Sequence, residues 1–395
     1  MAGPTETGLN VVGVTSASGV APLTTSAGPR GKGAIWPDES VQFADPLTGH
    51  PVRRITSHAS IHHHPFFFVP CFDRQMRRLI FVSHRTGRAQ LFAEDRPTRQ
   101  LIQLTDREDL AEWSIHPSAD GRSVFFTAGT GGWRLDLDTL RETQLAEFGN
   151  VAMREKGMVG AAMGTTALSH DDRWWAVPVR AGPVTRFHLI DTQKGDSTII
   201  LERDTIGHPQ FHPDDAELIF FAGPLTNRIW CTSRDGGRVW NPYPRRDRLQ
   251  WITHEMWIPG TRELSFVDWP HGMRALNVDT GAVRWLTRFP AWHAAIAPDG
   301  RHAVCDSTFP DRGIHLIDLA TGAATPLCTP KSSNAGSHWA APFPYNDGPV
   351  EVYAPQHTHP HPRFSPDGRC VVYTSDAGGH AQLYECPLIL MSSAP

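Results

Sequence analysis

Imidazole and amide side chains crowd one short stretch of the chain, where residues 356–361 read QHTHPH. Imidazole is the commonest side-chain ligand for metal ions in proteins. In extended chain, side chains two residues apart point to the same side, so His359 and His361 can present both rings to one ion. Gln356 and a third histidine, His293, would complete a nitrogen and oxygen donor set that leaves open positions on an octahedral ion. This set predicts a divalent cation site of the Mn²⁺ type rather than a closed tetrahedral zinc site.

The elements that must position these side chains belong to an internal repeat. Four segments carry its clearest copies: HPSADGRSVFFTA from His116, HPDDAELIFFAG from His212, APDGRHAVCDST from Ala297 and SPDGRCVVYTSD from Ser365. Each begins with a polar turn and continues with a β-rich run, a second apolar run, a Thr-Gly type turn and a closing strand. Weaker copies begin near Cys71, Ser169 and Ile258. Seven repeats of roughly 40–50 residues with about four strands each predict an all-β, seven-bladed β-propeller.

The two ends of the chain predict how the ring closes. The last copy stops after AQLYECPL without a closing strand, whereas VQFADPLTGHPVRRITS at 41–57 contains the ending that it lacks. We therefore expect an N-terminal strand to complete the last blade and close the ring, which removes the exposed edges of an open sheet array. Residues 1–33, rich in Gly, Ser, Thr and Ala, are expected to be a disordered leader, and residues 34–395 to form the propeller.

An alignment of the repeats on their polar turns places histidines at one common position. The residue six positions before the turn is a histidine in four copies: His208, His254, His293 and His361. Equivalent positions in a radial array converge on its axis, so these rings are expected to cluster. An insertion at 331–360 brings Gln356 and His359 to the same place. For His208 taken alone, a hydrogen-bonded filler is the favoured interpretation, and it is kept as a candidate substrate contact.

Several other side chains near the cluster are candidates for substrate contact. The HHH run at 62–64 holds consecutive side chains that diverge, which leaves His64 as a contact at the channel rim. Trp292 and Trp339 lie close to the cluster in sequence and could stack on a sugar ring, although most tryptophans of the chain are expected in the core. Glu255, next to His254, is expected either to orient a ligand or to face solvent.

Composition and charge exclude some classes of partner. The net charge of −4 gives no basic excess, so the electrostatic attraction that dominates nucleic-acid binding is missing. The six cysteines are widely spaced without a Cys-x-x-Cys pair, which suits reduced thiols in a cytoplasmic protein. No apolar run reaches about 18 residues and no signal sequence is found. We expect a cytoplasmic protein that binds neither nucleic acid nor membrane; its oligomeric state is left open.

Four stretches of the sequence resemble the oligogalacturonate lyases of polysaccharide lyase family 22: HPHPRFSPDGRCVVYTSDAGGHAQLYE, THEMWIPG, NRIW at 227–230 and FFFVPCFDRQMRRLIFVSHRTGRAQLF. The resemblance covers most of the chain. It implies a seven-bladed propeller, a manganese-type ion and β-elimination of short uronic-acid oligomers in the cytoplasm. It also implies the roles of six residues: Gln356, His359, His361 and His293 as metal ligands, His254 as the base, and Arg228 as the group that engages a substrate carboxylate.

The sequence leaves alternatives open beside this resemblance. The guanidinium of Arg228 suits a bidentate contact to a carboxylate, but a strand-edge arginine packed on an aromatic ring fits the pattern equally well. The stretch FFAGPLTNRIW is short and lacks the His and Glu of the HEGPW-like segment that family members carry before the arginine. This departure predicts a remodelled wall of the site and admits a different uronate-containing oligosaccharide. A non-catalytic propeller that binds proteins is the other alternative, because fold does not decide function.

Overall fold

The computed structural model describes residues 23–25, 28–149, 164–245, 247, 250–307, 310–332 and 359–388. These ranges form seven antiparallel β-sheets, and the innermost strands of successive sheets contact one another along much of the ring. The prediction of an all-β, seven-bladed propeller is confirmed. Within the described ranges, no helix combines the length and the apolar character that crossing a membrane requires.

The strands of the first three blades follow in chain order, each blade built from its inner edge outward. Three N-terminal strands join blades formed elsewhere: β1 (Ile35–Trp36), β2 (Val41–Ala44) and β3 (Pro51–Arg54). The first blade contains β4 (His62–His63), β5 (Arg78–Ser83), β6 (Gln90–Asp95) and β7 (Leu101–Gln103), with β1 outside β7. The second contains β8 (His116–Pro117), β9 (Ser123–Ala128), β10 (Gly131–Asp136) and β11 (Glu142–Glu147). The third contains β12 (Ala167–Leu168), β13 (Trp174–Ala181), β14 (Val184–Asp191) and β15 (Ser197–Arg203).

The remaining four blades repeat this arrangement. The fourth contains β16 (Gly207–His212), β17 (Asp215–Ala222), β18 (Ile229–Ser233) and β19 (Val239–Trp240). The fifth contains β20 (Trp251–Trp257), β21 (Glu263–Trp269), β22 (Gly272–Asn277) and β23 (Val283–Thr287). The sixth contains β24 (Ala294–Ile296), β25 (His302–Cys305), β26 (Ile314–Asp318) and β27 (Ala324–Cys328). The seventh contains β28 (Arg363–Phe364), β29 (Cys370–Ser375) and β30 (Gln382–Pro387), followed outward by β3 and β2.

The ring closes between the two ends of the chain, as the sequence predicts. Strand β3 pairs with β30, with Arg53 opposite Glu385. Two N-terminal strands, β3 and β2, therefore complete the last blade. A further strand, β1, extends the first blade by pairing with β7, which the sequence analysis did not anticipate.

Part of the expected leader contacts the propeller. The backbone N–H of Gly33 donates to the carbonyl of Gln103 at 2.8 Å, and that of Thr24 donates to the carbonyl of Ser57 at 2.7 Å. Thr24 and Gly33, which lie within the expected leader, therefore form backbone hydrogen bonds with the propeller. These backbone groups find partners at the edge of the first blade and beside the segment that follows β3.

The polar turn after each innermost strand is closed by its own side chains. In the last blade, Ser365 Oγ donates to Asp367 Oδ1 at 2.6 Å and accepts from the backbone N–H of Cys370 at 3.0 Å. Gly368 has φ of 69°, a conformation that glycine adopts without steric cost. Because this turn directly follows the innermost strand, counting back from it reaches equivalent positions beside the axis.

Apolar side chains on both faces of the central strands hold the blades together. Five of the six residues of β9 are buried, because neighbouring blades cover both faces of each sheet. Phe126 packs in the cluster shared with the first blade, whereas its neighbour Phe125 contacts Trp175 of the third blade at 5.5 Å between ring centroids. These contacts explain why the central strands read as continuous apolar runs rather than as alternating ones.

A buried ion network crosses the junction between the last and the first blade. Arg53 donates to Glu94 at 2.5 and 3.0 Å and to Glu385 at 2.6 Å. Arg96 donates to the same two carboxylates at 2.9 and 2.7 Å. Burial raises the pKa of Glu385, but the hydrogen bonds and charges of Arg96 and Arg53 outweigh it and lower that pKa to about 2. The network therefore joins the two blades that ring closure brings together.

We expect Arg53→Ala to lower the free energy of unfolding by about 3 kcal/mol, because losing one partner leaves buried carboxylates less compensated. This is the lower end of the range for buried pairs, since Arg96 still faces both carboxylates. Arg186→Ala is the matched control, because its ion pair with Glu202 is exposed and worth about 0–1 kcal/mol. Urea unfolding measures both, and equal midpoints for the two variants would contradict a role of the network in closing the ring.

Candidate metal centre and active site

Three imidazoles from two separate parts of the chain meet at the axis of the propeller. The ring centroids of His293 and His361 are 4.0 Å apart, and that of His359 is 5.2 Å from His293. One ligand nitrogen of each residue lies within 4.8 Å of those of the other two. His293 directly precedes β24, and His361 lies two residues before β28, so the sixth and seventh blades position them. The structure thus brings together three of the four predicted ligands, and Gln356 lies outside the described residues.

Three of the four histidines at the common repeat position share a strained backbone. His208, His254 and His361 have φ of 49°, 55° and 48°, in the left-handed region that is uncommon for residues other than glycine. In β20 the pairing register shifts between Thr253 and Met256, around His254. Such a bulge changes the direction of a side chain. Left-handed backbone at three equivalent positions is a form of strain that concentrates at functional sites.

The orientation of His293 is set by a buried carboxylate, Asp306. Asp306 Oδ1 accepts from the backbone N–H of His293 at 2.7 Å, and Oδ2 lies 2.8 Å from His293 Nδ1. Oδ2 also accepts from the backbone N–H of His361 at 3.2 Å. With Nδ1 donating to a carboxylate, the lone pair of His293 is on Nε2, which is the usual arrangement of a metal-bound histidine. Sequence reasoning missed Asp306; its signal is an acidic residue placed immediately after the buried strand β25.

The described residues fit a divalent cation. Three buried or half-buried imidazoles in mutual contact cannot all be positively charged. Burial lowers the pKa of His361 well below its usual value, and the charges of His293 and His359 add to the effect. Neutral imidazoles are the form that binds metal ions. Three nitrogen donors with a carboxylate behind one of them suit a borderline divalent ion and leave coordination positions open.

Three consecutive phenylalanines of the first blade pack against the histidine cluster. Phe66, Phe67 and Phe68 follow β4 and are 1%, 0% and 7% exposed. The Phe66 ring lies 4.8 Å from that of His361, and the Phe67 ring lies 5.6 Å from that of His293. An apolar floor of this kind keeps water away from the imidazoles and strengthens electrostatic interactions at the site. The FFF run was visible in the sequence, but nothing local placed it at the axis.

His254 lies beside the cluster with a defined tautomer. Its ring centroid is 4.3 Å from that of His293, and its Nδ1 donates to the carbonyl of Trp292 at 2.5 Å. Because a carbonyl accepts only, the proton is on Nδ1 and the lone pair is on Nε2. Burial lowers the pKa of His254 well below its usual value, and the charges of His293 and Arg228 lower it further. His254 is therefore neutral at pH 7 and presents a basic nitrogen.

Arg228 is held in place by two residues of the fourth and fifth blades. Its Nε donates to Glu255 Oε1 at 2.9 Å and its Nη2 to Glu255 Oε2 at 3.3 Å. The same Nη2 lies 3.1 Å from Nδ1 of His208. Glu255 is fully buried, so it does not face solvent, and it anchors the arginine. Glu255 thus occupies the Nε–Nη2 edge of the guanidinium, and Nη1 lies outside this contact.

Three residues that were expected to contact substrate are buried against other parts of the protein. His208 is 6% exposed and contacts Arg228. His64 is 2% exposed, and its ring nitrogens lie 2.5 and 3.5 Å from the carbonyls of Pro65 and Pro360. It thus lies against the chain that carries His361 rather than at the channel rim. Trp292 is 5% exposed, packs edge-on against His254 and accepts its hydrogen bond, so its ring is not open to a sugar. Trp339 lies outside the described residues.

The fold and the cluster together define a class of protein: a seven-bladed propeller with a histidine centre for a divalent cation at its axis, and with a neutral imidazole and an anchored guanidinium beside it. Within this class the chain belongs to the oligogalacturonate lyase family, whose family model matches residues 32–390. The family predicted from the sequence, a family of carbon–oxygen lyases, is thereby confirmed.

Individual relatives align with this chain over most of their length. The oligogalacturonate lyase of Dickeya dadantii is 26% identical over 371 residues, which cover 87% of this chain and 94% of the relative. The oligogalacturonide lyase of Pectobacterium atrosepticum is 24% identical with the same coverage. A solved structure of an oligogalacturonate lyase in complex with manganese has a TM-score of 0.78 at 24% identity, over 91% of this chain and 99% of that chain. This similarity to a solved structure supports the assignment of the fold.

Proposed function

We propose that this protein is a divalent-cation-dependent lyase that cleaves short uronic-acid oligosaccharides by β-elimination and leaves a 4,5-unsaturated product. The observation that carries the proposal is the convergence of His293, His359 and His361, with a neutral fourth imidazole, His254, in contact with His293. A protein-binding scaffold has no need for converging ligands, so the cluster favours an enzyme over that alternative.

The reaction defines what the site must supply. Elimination from a 4-linked uronate removes the proton at C5, and the electron pair of that bond forms the C4=C5 double bond as the bond between C4 and O4 breaks. The C5 proton is weakly acidic, because negative charge develops next to a carboxylate that is already ionised. A bound divalent ion supplies Lewis-acid stabilisation of that charge, a contribution of several kcal/mol.

We assign the cation to His293, His359 and His361, with Gln356 as a further ligand. The ion proposed is Mn²⁺, which is supported by the manganese bound to a lyase of the same fold. Asp306 keeps the Nε2 lone pair of His293 directed to the ion, because it accepts the proton of the other ring nitrogen. Phe66 and Phe67, which pack against His361 and His293, limit the access of water to these imidazoles.

His254 is the base in this proposal. Its Nε2 takes the C5 proton, which converts the ring to imidazolium. The carbonyl of Trp292 holds Nδ1–H before and after the transfer, so the ring keeps one orientation and the new charge faces a hydrogen-bond acceptor. A positioned general base of this type contributes about 10²–10⁴-fold to the rate.

Arg228 binds the substrate carboxylate through the part of the guanidinium that Glu255 leaves accessible. Among the described residues, its hydrogen bonds use Nε and Nη2, so we assign Nη1 to the substrate. His208 and Glu255 act as positioning residues, since they hold the guanidinium plane from two sides. Because the guanidinium of Arg228 is already fixed in place, less entropy is lost when it binds an anionic sugar.

The substrate class is an acidic oligosaccharide, and oligogalacturonates are the first candidates because the relatives are named for them. The short segment before Arg228 makes other uronate oligomers worth testing beside them. We place the reaction in the cytoplasm, a proposal supported by six buried cysteines that are all free thiols.

We expect purified protein with Mn²⁺ to generate the ultraviolet absorbance of a 4,5-unsaturated uronate from at least one member of a panel of acidic oligosaccharides. Treatment with a chelator should abolish the signal, and added Mn²⁺ should restore it, because the developing charge is otherwise unstabilised. Neutral oligosaccharides of equal length are the matched control. No absorbance increase from any uronate in the presence of Mn²⁺ would refute the proposed function.

A further inference from the structure

A second group of metal-ligating side chains lies between the first and second blades, apart from the residues assigned above. It consists of His63, His84 and Glu112, whose ligand atoms all lie within 4.8 Å of one another. Glu112 Oε2 is 2.7 Å from His84 Nε2 and 3.4 Å from His63 Nε2. The three side chains are only 5%, 7% and 9% exposed. Two imidazoles that share one buried carboxylate oxygen form a compact donor set.

The carboxylate of Glu112 lies between the two imidazoles. His63 Nδ1 lies 3.1 Å from the carbonyl of His64, which accepts a hydrogen bond from it. His63 Nε2 and His84 Nε2 approach the same oxygen of Glu112, at 3.4 and 2.7 Å. In the metal-free protein protons supply the positive charge between these atoms, and a divalent ion can take their place. A backbone carbonyl behind a histidine is also the usual outer contact of a metal ligand.

We propose that His63, His84 and Glu112 form a second divalent cation site, of the zinc type. Two imidazole nitrogens and one carboxylate oxygen are ligands that Zn²⁺ accepts in protein sites, and a fourth position stays open to water or another ligand. The proton that His84 Nε2 now donates to Glu112 leaves this nitrogen on binding, either for Nδ1 or for solvent. Because metal ligands must present lone pairs, the ion replaces that hydrogen bond.

The site would act as a clamp between two blades. His63 lies in β4, and His84 directly follows β5, so both belong to the first blade. Glu112 lies in the segment before β8, and its neighbour Ala111 donates its backbone N–H to Thr127 of β9 at 3.0 Å. An ion bound to all three side chains therefore ties the first blade to the second. Binding to the folded state alone raises the thermal midpoint.

The test uses metal-free protein in which the axial cluster is disabled by His361→Ala, so that its outcome does not depend on the lyase activity. Zn²⁺ is added, excess ion is removed, and bound zinc is measured by elemental analysis beside the thermal midpoint. We expect His361→Ala to retain bound Zn²⁺ and to show a higher midpoint with the ion. His84→Ala in the same background should lose both, whereas the control His302→Ala, at a partly exposed histidine, should keep both.

Two outcomes overturn the proposal: no retained zinc in the His361→Ala protein, or equal zinc retention with and without His84. If the His84 variant fails to fold, anomalous diffraction from Zn²⁺-soaked crystals of the His361→Ala protein decides. A peak between His63 Nε2, His84 Nε2 and Glu112 supports the site, and its absence there refutes it. Failure of the lyase assay would leave these measurements unaffected.

Discussion

His254→Ala should reduce the turnover number for uronate elimination by about 10²–10⁴-fold while Mn²⁺ stays bound. The variant removes the Nε2 lone pair that takes the C5 proton but leaves the ligand nitrogens of His293, His359 and His361 in place. Initial rates from the ultraviolet absorbance of the product measure the first effect. Metal content after desalting measures the second.

The pairing of these two measurements separates a base from a ligand. A variant that loses manganese together with activity would assign His254 to the metal, and a variant with wild-type turnover would remove it from the chemistry. His212→Ala is the matched control, since His212 lies on the innermost strand of the fourth blade and its Nε2 lies 2.7 Å from the carbonyl of Thr261, outside the cluster. It should change neither turnover nor metal content. Added imidazole should restore part of the activity of His254→Ala, because the truncated side chain leaves space for it.

His361→Ala should lose both bound Mn²⁺ and activity. His361 contributes one of the three clustered imidazoles, and its ring is in contact with that of His293 at 4.0 Å between centroids. With one nitrogen donor removed, the remaining side chains hold the ion more weakly, and the charge that develops on the substrate is no longer stabilised. A calorimetric titration with Mn²⁺ measures the affinity of the variant for the ion. The product absorbance measures its rate at saturating Mn²⁺.

The matched control for this second variant is His302→Ala. His302 lies in β25 of the sixth blade, the blade that positions His293, but it is partly exposed. Its Nδ1 pairs with Asp299 at 2.7 Å. This control should bind manganese and turn over substrate as the unmodified protein does. Full activity of His361→Ala without added excess Mn²⁺ would remove His361 from the ligand set. Activity that returns only at high Mn²⁺ would support it, because the ion is then bound by the remaining ligands.

Much of the fold was predictable because the repeat is encoded locally. Each polar turn is closed by its own side chains, as Ser365 and Asp367 show, so the turn is recognisable from a few residues. The position of the turn relative to the innermost strand then placed His254, His293 and His361 at one level. Strand β1 escaped prediction, since two residues of edge pairing leave no periodic pattern.

The partners of the candidate site residues were much less predictable. Asp306 reaches both His293 and the backbone of His361, although it is 55 residues away from the latter in sequence. Glu255 was left between two roles, and the structure shows it anchoring Arg228. These contacts depend on side-chain directions and on the meeting of different blades. No spacing rule contains that information.

The sequence by itself determined the number of blades, the closure by the N-terminal segment and the common position of the axial histidines, because turn chemistry and repeat length are properties of neighbouring residues. Only the tertiary structure decided which nitrogen of His254 carries the proton, which carboxylate orients His293 and that His63, His84 and Glu112 meet. Each of these depends on distances across the closed ring between atoms far apart in the chain. Such distances exist only after all seven blades have packed around one axis.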